Sequence, residues 1–80
     1  MNATITNMEL KFADNLKPDQ LMIGDLIMIE DEVVEVLGIA SDAEGNLYAV
    51  AYKDEFGEKN IAQFQHDEFV SLYVYVDSDE

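Results

Sequence analysis

His66 is the only histidine among the 80 residues, and it sits in "QHDEF" beside Asp67 and Glu68. One imidazole and two carboxylates could in principle grip a metal ion. Neighbouring residues of an extended chain point to opposite sides, however, so three in a row do not converge on one point. A surface turn explains the stretch better. "SDAEGN" (41–46) raises a calcium question through Asp42, Glu44 and Asn46. It lacks the 12-residue ligand pattern and the closing bidentate glutamate of a calcium loop. Its Asp, Gly and Asn are the residues a hairpin loop uses.

Other reaction chemistry finds little support. There is no cysteine, which removes disulfides, thiolate metal sites and thiol nucleophiles together. No serine lies in an activated context, and no glycine-rich loop is built to cradle phosphate. With 18 acids in the chain, paired carboxylates arise by chance and single out no general acid or base. The sequence therefore reads as non-enzymatic, with no cofactor and no metal.

Charge is the dominant signal. Eighteen Asp and Glu oppose four Lys, for a net charge of −14. Phosphate recognition needs Lys and Arg, so direct contact with DNA, RNA or an anionic membrane is not expected. Averaged over the surface of a folded 9 kDa chain, that charge is about a third as dense as on duplex DNA. Gathered on one face it would approach DNA; spread evenly it would confer solubility.

The tyrosines are the second signal. Tyr48, Tyr52, Phe69, Tyr73 and Tyr75 fall on segments that read as neighbouring strands. In "FVSLYVYV" (69–76), Val70, Leu72, Val74 and Val76 share one face and Phe69, Tyr73 and Tyr75 the other. If the valine face fills a core, the tyrosine face looks outward. Either an N-terminal arm covers it through Met8, Leu10 and Phe12, or it stays open as a contact patch rimmed by acids.

These residues need a scaffold, and the chain spells out a mainly β one. "NMELKFADNL" alternates at Met8, Leu10 and Phe12, while Met8, Phe12 and Leu16 also fit one helical face; an extended arm or edge strand over residues 1–17 is the favoured reading. Pro18 and Asp19 suit the start of one short helical turn, with Gly24 as its stop. Five strands follow within the domain spanning 18–76: "LIMIE", "VVEVLGIA", "LYAVAYK", "EKNIAQFQ" and "FVSLYVYV". Asp31 and Glu32 make a tight connection after the first, and Gly38 shifts the alternation of the second as a bulge would. In "LYAVAYK", Tyr48, Val50 and Tyr52 share a face. "DEFG" (54–57) gives a turn in which Gly57 supplies the left-handed residue. The fourth strand has the weak pattern of an edge, "HDE" is a turn, and 77–80 form an acidic tail.

Five short antiparallel strands suggest a small barrel, since closing a sheet hides its edges. "LMIGDLIMIEDEVVEVLGI", a Gly-Asp step into one strand and then a Val-rich second, together with "YAVAYKDEFGEKNI", resembles the SH3-like barrels, in particular the translation-protein and KOW-like group. The resemblance implies a five-stranded SH3-like barrel over residues 21–76. It does not carry that group's partner over. Its RNA-binding members are basic, whereas the loop from Ser41 to Asn46 holds no Lys or Arg.

The expected function is that of an acidic module that binds another protein, one with a basic surface; a homo-oligomer is also open. Asp42 and Glu44 in one loop, Asp54, Glu55 and Glu58 in a second, and Asp67 and Glu68 in a third would steer the encounter. Because alternate loops of a barrel gather at opposite ends, these acids are expected to divide into two groups. In overall type the chain is similar to the small acidic accessory proteins of bacteriophages that modulate host factors. Two alternatives stand beside this: a nucleic-acid mimic occupying a basic groove, and a small assembly component of a phage particle. No basic leader segment and no long apolar run is present, so a cytoplasmic location (the host's, for a viral protein) is expected.

Overall fold

The computed structural model describes residues 8–77. The first seven residues of the expected arm and the last three of the expected tail lie outside that range. Six strands form one antiparallel sheet: β1 (Met8–Leu16), β2 (Leu26–Ile29), β3 (Glu32–Ser41), β4 (Leu47–Lys53), β5 (Lys59–Gln65) and β6 (Val70–Asp77). Their order across the sheet is β1-β6-β2-β3-β4-β5. One 3₁₀ turn (Pro18–Gln20) joins β1 to β2.

The strands β2 to β5 are a simple meander, and β6 returns beside β2. That second junction is short: only Leu26↔Tyr73 and Ile27↔Leu72 pair. β1 then lies along the other side of β6, from Met8↔Asp77 to Leu16↔Val70. The molecule is thus a three-stranded piece (β3 to β5) and a two-stranded ribbon (β1 and β6), joined through the four residues of β2.

The sheet is not closed, in contrast to the expected five-stranded barrel. To close it, β5 would have to dock against the free side of β6. β1 occupies that side. The N-terminal segment is accordingly a sixth strand in the plane of the sheet, and β1 and β5 are its two edges.

A single small core sits on one face. Ile27, Val36 and Val50 are fully buried, and Leu21, Val34 and Val70 nearly so. Leu16, Ile29, Ile39, Tyr52, Phe64 and Leu72 pack against them. The pairings Ile27↔Val34 and Ile27↔Leu72 place Ile27 between the two halves of the molecule. On β6 it is the valine face that turns toward the core. It does so only to Leu72: Val74 is exposed, and both Val74 and Val76 pair with the charged residues Lys11 and Glu9.

Two local expectations shift by a few residues. The helical turn stops at Gln20, with Leu21 N–H donating to Pro18 O at 3.2 Å. Gly24, with φ +98°, serves a separate turn closed by Asp25 N–H to Met22 O. The β2–β3 connection is Glu30–Asp31, one residue earlier than read, and both residues hold positive φ (51° and 69°). Other features agree with the sequence: the register shifts between Val36 and Gly38, and Gly57 has φ +80°. Replacing Gly57 by Val is expected to destabilise the fold by about 1–2 kcal/mol, because a β-branched side chain resists that region. Chemical denaturation reads this, and an unchanged midpoint would refute it.

Candidate functional site

The face opposite the core is built by alternation. Once Ile27, Val34 and Leu72 point inward, Leu26, Tyr73 and Tyr75 must point the other way. The β1–β6 register sets Phe12 opposite Tyr73 and Leu10 opposite Tyr75, with Met8 following opposite Asp77. Residues directly opposite in an antiparallel pair share a face. Met8, Leu10, Phe12, Tyr73 and Tyr75 therefore form one continuous apolar strip on the outer face of the ribbon.

The strip is open to solvent. Met8 is 53% exposed, Leu10 38%, Phe12 54% and Tyr75 57%, values far above those of a packed interior. Tyr73 is half-buried; its ring meets Phe12 edge-on with centroids 6.0 Å apart. An edge-to-face pair of this kind adds about 0.5–1.5 kcal/mol beyond the area it buries. Beyond Phe12 the register shifts at Ala13, so Asp14 and Leu16 turn toward the core side. Of the two arrangements open from sequence, Met8, Leu10 and Phe12 covering the tyrosine face or leaving it open, the structure has the second. Lying beside β6 and not across it, these residues extend that face.

The aromatic set itself divides. Tyr48 and Tyr52 share the face of Val50, paired with Phe64 and Asn60 on β5 and with Ser41 and Val36 on β3. Tyr52 packs against the core. They belong to the interior side, not to the patch of Tyr73 and Tyr75. Phe69 is exposed just before β6, with the Lys17 ammonium 5.7 Å from its ring centroid.

The acids divide by the ends of the sheet, as alternate loops require. Asp42 and Glu44 lie in the β3–β4 loop, and Asp67 and Glu68 in the β5–β6 loop. His66 N–H donates to Asn46 O at 2.9 Å and holds these two loops together. At the other end lie Asp54, Glu55 and Glu58 of the β4–β5 loop, and Glu30 and Asp31 of the β2–β3 turn. Glu55 N–H donates to Glu32 Oε2 at 3.1 Å.

Several acids also serve the fold. Asp54 Oδ1 accepts from Phe56 N–H (2.9 Å) and Glu58 N–H (2.8 Å), while its Oδ2 accepts from Asn60 Nδ2 at 2.8 Å. Glu68 Oε1 accepts from Gln65 N–H at 2.7 Å. Asp42 Oδ1 accepts from Asn46 N–H at 2.8 Å and Leu47 N–H at 3.4 Å. Chiefly through the Asn46 bond, these hold the Asp42 carboxyl below its ordinary range. A depressed carboxyl stabilises the fold above its unfolded-state pKa, and that contribution disappears as pH falls through the folded value. Asp42→Asn keeps an acceptor but does not titrate. Below about pH 4, the wild type is expected to lose thermal stability more steeply than this variant; parallel melting curves would refute the assignment.

A shallow recess of about 270 Å³ opens near Ala40, Leu47, Ala49 and Gln63, just under the usual lower bound of about 300 Å³ for small-molecule pockets. Its lining includes Asp42 but not His66. Among the described residues no three His, Asp or Glu side chains gather as metal ligands, and no helix is long and apolar enough to cross a membrane. Comparison with protein-family models, curated proteins and solved structures finds no match to this chain.

Proposed function

We propose that this protein is a non-enzymatic acidic module that binds a second protein through the outer face of the β1–β6 ribbon. One observation carries the reading: Met8, Leu10, Phe12, Tyr73 and Tyr75 lie side by side on a solvent-open strip. Apolar strips of this kind on otherwise charged domains mark contact surfaces, and tyrosine and phenylalanine are favoured there. The acidic loops at both ends of the sheet suit a partner whose apolar contact is flanked by basic residues. Their role is to raise the encounter rate. An SH3-like relation for β2 to β6 is supported by the order β6-β2-β3-β4-β5, a meander whose last strand returns beside its first.

Affinity capture with the full chain tests this, at low and then moderate salt. The double variant Phe12→Ala/Tyr75→Ala is expected to lose a captured protein by about tenfold or more, because central aromatic contacts carry much of a binding energy. Capture that is indifferent to this variant refutes the site. A second reading, in which the carboxylates imitate the phosphates of a nucleic acid, draws on the acids at the end of the sheet where Glu55 bonds to Glu32. It predicts capture that vanishes with salt and depends on Asp54, Glu55 and Glu58, not on Phe12.

A further inference from the structure

We propose that β1 pairs with the β1 of a second copy of this chain, antiparallel and about a two-fold axis centred on Leu10. β1 is an edge of the sheet, so its outward N–H and C=O groups have no strand partner among the described residues. Edges of this kind are templates for another strand. The bulge at Ala13 limits the regular stretch to Met8–Phe12.

The charges on that stretch select one partner and one register. Glu9 and Lys11 point to the same side of β1, their charged groups 3.6 Å apart and solvent-exposed. With Leu10 opposite Leu10 of the second copy, Glu9 of each chain faces Lys11 of the other, and Met8 faces Phe12. Every apolar residue then meets an apolar one and every charge meets its opposite. A shift of two residues one way places Glu9 against Glu9; the other way it places Lys11 against Lys11. Both juxtapose like charges. β5, the other edge, offers no such match: its only charged residue is Lys59.

The two-fold arrangement closes after two copies, so it gives a dimer and not a fibre. It also keeps the outer face of both ribbons uncovered. The two strips of Met8, Leu10, Phe12, Tyr73 and Tyr75 would run together into one surface of twice the width, four strands across. This dimer does not depend on the identity of any other partner.

Sedimentation of the full chain over a wide concentration range, with circular dichroism to verify folding, tests the pairing. The wild type is expected to pass from monomer to dimer as concentration rises. Lys11→Glu makes both charge pairs repulsive and should weaken the dimer about tenfold or more. Glu9→Lys/Lys11→Glu exchanges the charges, restores both pairs and should restore the dimer. Lys59→Glu makes the same change in net charge on the opposite edge and should dimerise like the wild type. A chain that stays monomeric throughout, or assembles beyond a dimer, overturns the proposal. So does a charge-exchanged variant as weak as Lys11→Glu, or a Lys59→Glu variant equally impaired.

Discussion

Replacing Ile27 by alanine is expected to lower the unfolding free energy by about 3 kcal/mol, within the range for emptying a fully packed aliphatic site. Ile27 is fully buried and pairs with Val34 on one side and Leu72 on the other. It is the residue through which the β1–β6 ribbon and the β3–β5 piece share a core. Domains of this size have about 4–12 kcal/mol in total, so the loss is a large fraction. Urea denaturation should show a lower midpoint with little change in slope. Ile61→Ala on the edge strand β5 is the control: Ile61 is largely exposed, and its removal should change stability by no more than about 0.5 kcal/mol. Equal effects at the two positions would mean that the core does not lie where Ile27 places it.

The double replacement Glu30→Asn/Asp31→Gly is expected to stabilise the protein by about 1–2 kcal/mol and raise Tm by about 5–10 °C. The β2–β3 turn has two central residues, both at positive φ. Asn-Gly is the pair that such a turn favours, since glycine carries no Cβ to clash and asparagine tolerates the left-handed region. The natural pair is Glu-Asp instead. The replacement also removes two negative charges from an end of the sheet that holds Glu32, Asp54, Glu55 and Glu58. Relief of backbone strain and relief of repulsion act in the same direction, and salt separates them. The repulsive share shrinks as ionic strength rises, while the backbone share persists. No gain in Tm at any salt concentration would refute the strained turn. Glu30 and Asp31 add negative charge to one of the two sheet ends invoked in the acidic steering proposed above.

Much of this architecture was legible because strand alternation is a local property. "LYAVAYK" became β4 over Leu47–Lys53 with no residue displaced. The bulge near Gly38 and the left-handed Gly57 followed from residue type in the same way. The division of the acids between two ends followed from the alternation of loops. What local pattern could not supply was the partner of each edge. Met8, Leu10 and Phe12 alternate equally well in a strand lying across the tyrosine face and in one lying beside it. Only the pairing of Phe12 with Tyr73 distinguishes a cover from an extension. Closure failed for the same reason, since it depended on which strand took the free side of β6. The tyrosines were divided by a non-local fact as well. Tyr48 and Tyr52 flank Val50 in sequence, so their side was settled once Val50 proved to be core.

The pairing of β1 with β6 also orders events during synthesis. Met8 pairs with Asp77 and Leu16 with Val70, so β1 leaves the ribosome well before its partner. The meander β2 to β5 needs only neighbouring hairpins and can form while β6 is still being made. Throughout that interval β1 has no place in the sheet, and its Met8, Leu10 and Phe12 side chains are open to whatever else the nascent chain meets. Synthesis stalled before Val70 would leave the meander without β6, with the free side of β2 added to that of β5. Completion of β6 is thus the step that both docks β1 and sets the apolar strip in place.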